Sequence, residues 1–186
     1  STIDLIISTV PIKETLQIPV QVVNTFLEEK DVHSIKNYIS QHQNALEKYL
    51  HPSRIFIHQH FGNKEAVISF LCDQLYRMQL VPNNFKDLVL EREAIAPTCF
   101  GNLVAVPHPI RSVTTETFWT VCTLDRPIPW SESQMVQFIC LLNVKQGSHG
   151  DLDRMFKKLI SIIENKTIVQ KLIESKTPND IIELIK

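Results

Sequence analysis

The residues best equipped for chemistry in this chain fall in one stretch, Leu90 to Ile110. His108 stands between Pro107 and Pro109, at the exit of the aliphatic run Asn102 to Val106. Aliphatic and β-branched residues suit a buried strand, and a proline, having no N–H to give, ends its pairing. The imidazole is therefore expected at a strand's end, on a backbone that two prolines stiffen. Histidine side chains ordinarily titrate near neutrality, so one ring nitrogen can attack an electrophile while the other needs a partner to fix the tautomer. For attack on phosphorus, cationic and amide donors must surround the transferred group, because positioning and charge stabilisation do most of the catalysis. Arg92, Thr98 and the backbone around Gly101 are candidates within the same stretch. Glu91 and Glu93 flank Arg92 as possible partners; the competing reading makes Pro107-His108-Pro109 a rigid surface turn, Arg92 part of a solvated helix end, and both glutamates surface charge.

The elements that would position these groups can be read around them. Asn84, with Asp87 three residues on, predicts a capped helix that ends near Glu93 and delivers Arg92 toward His108. Asn63 reads as an N-cap, and Ala66-Val67, Phe70-Leu71, Gln74-Leu75 and Met78 form a helical stripe to about Gln79. Phe118 to Leu124 reads as a strand, Asp125-Arg126-Pro127 as a turn, and Trp119 and Trp130 as packing residues. Met135 to Val144 is apolar nearly throughout, as expected of a central strand covered on both faces. Helices are expected from Asp151 to Glu164 and from Ile168 to Ile173. A last one starts at Thr177 as N-cap, with Pro178 first in the helix and Asp180 three residues after the cap. Helices and strands in this mixture predict a three-layer α/β domain, a mixed sheet covered by helices.

Arg92-Glu93, Thr98, Gly101 and Val104-Ala105-Val106-Pro107-His108 together resemble the active-site segment of enzyme IIA domains of the mannitol/fructose class in the bacterial sugar phosphotransferase system. The resemblance covers roughly residues 50 to 186. It implies that His108 is the phosphorylated histidine, loaded by phospho-HPr and unloaded onto a cysteine of an enzyme IIB domain. Arg92 is then the cation beside it, with Thr98, Gly101 and Pro107 around the phosphoryl group. No metal or nucleotide cofactor is implied. Many members place a second histidine near the start of the helix that here begins at about Asp151. His149 fits that place, with a solvated loop histidine as the competing reading.

Residues 1 to 50 read as a separate piece: two short strands, Ile3 to Ser8 and Pro19 to Val23, then a helix from about Glu28 to Leu50 with Val32, Ile35, Tyr38 and Ile39 on one face. Two strands and a helix cannot bury both faces of a sheet by themselves. The run Asp4 to Pro11 followed by Pro19 to Leu27 resembles the C-terminal half of a galactitol-type IIB domain. No cysteine precedes Cys72, so the segment that carries that family's phosphorylated cysteine is absent here. The chain is thus expected to be a fragment, with residues 1 to 50 ending a IIB-like domain and residues 51 to 186 forming the IIA-like one. That order resembles the C-terminal half of phosphotransferase-regulated transcriptional regulators. A IIA component of a sugar transporter and a catalytically silent docking domain of the same fold are the alternatives.

Composition narrows the remaining classes. A net charge of −1, with 21% charged residues, offers no basic surface for nucleic acid. No apolar run approaches a membrane span, and the apolar start lacks a signal peptide's flank and length, so a cytoplasmic protein is expected. Cys72, Cys99, Cys122 and Cys140 are widely spaced in apolar settings and read as buried free thiols. With only 4 glycines, no phosphate-cradling loop of the P-loop kind can be found. A metal site from His51, His58 and His60 is conceivable, since alternation along Arg54 to His60 would put His58 and His60 on one side. Solvated histidines are the competing reading there.

Overall fold

The computed structural model describes residues 5–12, 16, 18–43, 49–146 and 151–185, and the chain divides into two compact units, Ser1–Asn44 and Ala45–Lys186. In the first unit β1 (Ile6–Ser8) pairs in parallel with β2 (Val20–Val22), and α1 (Glu29–Gln43) follows. The continuation of that helix expected toward Leu50 falls partly on residues 44–48, outside the described ones.

The second unit is built on five strands: β3 (Ile55–Gln59), β4 (Cys99–Gly101), β5 (Val104–Ala105), β6 (Phe118–Pro129) and β7 (Met135–Asn143). Their spatial order is β3-β6-β7-β5-β4, with β3·β6 and β7·β5 parallel and β6·β7 and β5·β4 antiparallel. The apolar strand β7 lies at the centre, as its sequence demands. Alternation along the pleat sends its side chains to two cores. Phe138, Cys140 and Leu142, with Trp119 and Val121 of β6, meet Met155, Leu159 and Ile163 of α4 (Asp151–Glu164), Leu172 of α5 (Lys166–Glu174) and Ile181 of α6 (Pro178–Ile185). Ile139 and Leu141, with Phe118, Cys122 and Leu124 of β6, meet Val67, Leu71 and Leu75 of α2 (Lys64–Arg77) and Phe85 and Val89 of α3 (Phe85–Ile95). This is a three-layer α/β domain with a mixed sheet. Trp119 and Trp130 are both buried within it.

Two of the expected caps form: Asn63 Oδ1 accepts from the Ala66 amide at 2.9 Å, and Thr177 and Asp180 exchange amide bonds at the start of α6. The cap expected from Asn84 does not form, for its backbone (φ −84°, ψ 5°) lacks the extended geometry of a cap and its side chain makes no such bond. The turn expected at Asp125-Arg126-Pro127 lies inside β6, where the β6–β7 register shifts between Thr123 and Ile128 and these three residues bulge into solvent. The strand expected over Asn102 to Val106 is only Val104–Ala105. Asn102 and Leu103 take positive φ (49° and 63°) and form a two-residue hairpin turn between β4 and β5, a conformation with matching twist that needs φ > 0 at both central positions. The Asn102 amide secures the turn by donating to the last carbonyls of α4, at 2.9 Å to Ile163 and 3.3 Å to Glu164.

Candidate functional site

β5 leads directly to the candidate site, because Ala105 is its last residue and His108 follows three positions on. Three backbone bonds from separate elements hold the intervening loop: Val106 N–H to Thr98 O at 2.9 Å, Leu142 N–H to Pro107 O at 2.9 Å, and Ile110 N–H to Leu88 O at 3.0 Å. Pro107 donates nothing itself, and its carbonyl is the group that β7 grips.

The imidazole of His108 is half-buried and bonded at both nitrogens. Nδ1 lies 2.9 Å from the Val106 carbonyl, which can only accept, so Nδ1 carries the proton. Nε2 lies 3.1 Å from Arg92 Nε, which can only donate, so the lone pair is on Nε2. Both neighbours thus select the same tautomer, with the lone-pair nitrogen facing the cation. Arg92 occupies the last turn of α3, where a positive charge suits the helix dipole, and its Nη1 donates to the Ala96 carbonyl at 2.9 Å.

Glu93, the next residue, is not the surface charge that the sequence suggested. It is 4% exposed, and its carboxylate accepts four donors: the Thr98 amide, the Thr98 hydroxyl at 2.6 Å, Trp130 Nε1 at 2.9 Å and Lys64 Nζ at 3.2 Å. A buried carboxylate needs such company, since ions left unpaired away from water are costly. Thr98, itself buried, spends its hydroxyl on Glu93. Gly101 sits at the head of the β4–β5 turn with φ +83°; a Cβ there would meet only Gln134 Oε1 at 3.9 Å, so the glycine answers to backbone conformation. Lys64 and Trp130 lie 29 and 37 residues from Glu93, so periodicity and capping do not mark it for this place, and its one signal is its position beside Arg92 in the motif that carries the resemblance.

A cleft of about 330 Å³ opens beside the imidazole, with Phe100, Ile110, Leu142, Phe156 and Ile160 among its lining. Four of these five, Leu142 excepted, are exposed apolar side chains, the kind of patch that marks a contact surface for a partner. His149 lies outside the described residues. The other three candidate histidines go separate ways. His58 adopts φ 51°, which interrupts the alternation along β3, and its Nε2 lies 2.8 Å from Ser175 O. His60 Nδ1 meets Asp125 Oδ2 at 2.7 Å, and His51 Nδ1 meets Ser53 Oγ at 2.7 Å. Among the described residues no group of three or more histidine, cysteine or carboxylate side chains is placed to hold a metal ion.

A mixed five-stranded sheet between two helical layers, presenting a histidine at a strand exit beside a helix-borne arginine, defines a domain of the mannitol-type IIA fold. Its backbone superimposes on that of mannitol enzyme IIA from Escherichia coli, in its complex with phosphorylated mannitol enzyme IIB, with a TM-score of 0.63 at 19% identity, over 73% of this chain and 96% of that one. Residues 48–186 match the family described as "Phosphoenolpyruvate-dependent sugar phosphotransferase system, EIIA 2", and the chain belongs to that family. Among its relatives, the probable licABCH operon regulator of Bacillus subtilis is 42% identical over 176 residues, 95% of this chain. The transcriptional regulator ManR of the same organism is 25% identical over 91% of it. The chain spans 27% of the length of each of these two regulators.

Proposed function

We propose that the second unit is a phosphohistidine domain that accepts a phosphoryl group on His108 Nε2 from phosphorylated HPr. The observation that carries this reading is the two-sided fixation of the ring, with Nδ1–H on the Val106 carbonyl and the Nε2 lone pair facing Arg92. In the transfer, Arg92 Nε–H turns aside and frees the Nε2 lone pair, which forms the new N–P bond while the donor's own N–P bond breaks and its imidazole leaves. The ring of His108 becomes positive as that bond forms, and the Val106 carbonyl, 2.9 Å from Nδ1, stabilises it. Arg92 offsets the charge of the phosphoryl oxygens. Thr98 acts through Glu93, Gly101 through the turn that sets β5, and His149 is a further candidate for the phosphoryl oxygens.

The setting we favour is a sugar-operon transcriptional regulator acting in the cytoplasm. The match to the licABCH operon regulator supports it, because it runs over 95% of the chain and so takes in the first unit, whereas the family match begins at residue 48. Residues 1 to 50 then end a IIB-like domain, and residues 51 to 186 are the IIA-like one. The phosphoryl group serves as a mark there, adding about −1.5 to −2 charge to the surface that a IIB-like or regulatory domain meets. Among the described residues no helix is long and apolar enough to cross a membrane.

The test is incubation with phosphoenolpyruvate, enzyme I and HPr, followed by intact mass. One acid-labile phosphoryl group on the wild type, lost in His108→Ala, is expected. No gain on folded wild-type protein would overturn the reading and leave a silent docking domain.

A further inference from the structure

We propose that Glu93 is the positioning residue of this site, a single buried carboxylate that sets both the cation and the histidine. The inference rests on His108 as the phosphoryl acceptor and adds a determinant of its reactivity.

Toward the cation, the link is the helix itself. Glu93 is drawn inward by donors from three other places: Lys64 at the start of α2, Thr98 at the entry to β4, and Trp130 at the turn that follows β6. Adjacent helical residues point about 100° apart, so pinning Glu93 fixes the rotation of the last turn of α3 and with it the direction of Arg92. Toward the imidazole, the link is a chain of hydrogen bonds. Thr98, held at its amide and hydroxyl by the carboxylate, accepts the Val106 amide on its carbonyl at 2.9 Å. The Val106 carbonyl in turn accepts His108 Nδ1–H at 2.9 Å. The two partners of the 3.1 Å Arg92–His108 contact are therefore referred to one carboxylate.

Stability alone is a weak reason for such an arrangement. Buried ion pairs are often no better than well-packed apolar residues of the same volume, and their best-attested use is to fix one geometry among several. The structure shows which geometry is fixed here.

Glu93→Gln is nearly isosteric yet has one acceptor oxygen in place of two. Thr98 donates to Oε2 while Trp130 and Lys64 donate to Oε1, so one set must face the new NH₂. In the whole chain, the initial rate of phosphorylation at saturating phospho-HPr is expected to fall about 10- to 100-fold, the scale of a displacement near 1 Å. The KM for the donor is expected to stay put. ¹⁵N NMR of unphosphorylated protein reads the positioning directly: His108 should show one tautomer in wild type and a mixture in Glu93→Gln. A folded Glu93→Gln with wild-type rate and wild-type tautomer overturns the proposal. If that variant fails to fold, Thr98→Val takes its place, with a smaller change in the same two readouts expected and no change overturning. Because the tautomer is read without phosphoryl transfer, a wild type that accepts no phosphoryl group refutes the acceptor reading while the NMR comparison still judges Glu93.

Discussion

Replacing Arg92 by glutamine removes the positive charge that the fold places beside His108 Nε2 while keeping an N–H donor at about the reach of Arg92 Nε, which lies 3.1 Å from that nitrogen. Once turned aside from Nε2 to pair with the phosphoryl oxygens, the guanidinium centre would lie roughly 4 Å from their charge, where unit charges attract by about 4 kcal/mol at an effective dielectric constant near 20. Both residues are only half-buried, and screening by solvent brings this to about 2 kcal/mol per charge. At 1.4 kcal/mol per decade, the rate should fall about 30-fold for one unit of charge and by several hundredfold if two are fully expressed. The assay is the initial rate of acid-labile mass gain with catalytic enzyme I and HPr, with circular dichroism to show that the variant is folded. Arg92→Lys keeps the charge but loses the Nε–H geometry and the Nη1 bond to Ala96 O, so it should fall between wild type and glutamine. A folded Arg92→Gln phosphorylated within threefold of the wild-type rate would refute the role given to the guanidinium.

Three further outcomes are expected. Asn102→Ala should lower stability by about 1–3 kcal/mol in urea unfolding, because it strips two α4 carbonyls of their donor and puts alanine at positive φ; an unchanged midpoint would contradict this. The Asp180 carboxyl is held below its ordinary value of 3.8 by the Lys176 and Thr177 amides and the Thr177 hydroxyl. Its contribution to α6 is therefore present above that value and is lost as the pH falls through the lower folded one, so acid should fray α6 less steeply in Asp180→Asn than in wild type, as amide exchange would report. Burial pushes the Cys72, Cys122 and Cys140 thiols up to about 12, so in native protein at pH 8 iodoacetamide should spare them and mark the more exposed Cys99 first. Labelling of all four at one rate would contradict the packing.

What the sequence made legible was what is local. Thr177-Pro178 with Asp180, and Asn63 ahead of its stripe, announce helix starts because a cap and its target lie within one turn. Met135 to Val144 shows its central place because a strand covered on both faces has no polar side to alternate with. The histidine and arginine stand out for similar reasons, one by its prolines and the other by its helix end. Other features depend on distant partners or on backbone conformation. Glu93 differs from a surface glutamate through Thr98, Trp130 and Lys64, the last two of which the chain brings from far off. Leu103 reads as a strand residue and is instead half of a turn, its positive φ accepted because its carbonyl receives the Gln137 and Phe138 amides at 2.8 and 2.9 Å. Likewise Asp125 to Pro127 look like a turn, yet the strand carries on past them as a bulge.

The loop that carries His108 is tied at Val106, Pro107 and Ile110 to three separate parts of the domain. Such a loop has little slack. A phosphoryl group arriving on the ring alters the local field strongly, but the backbone beneath has few ways to turn that field into movement. One bit of information would then be stored as potential at the rim of the apolar cleft, and its readout falls to whatever docks there. By linkage, a reader that binds the loaded domain tenfold more tightly also makes loading tenfold more favourable, so the reader and the energy source of the mark are coupled through one surface.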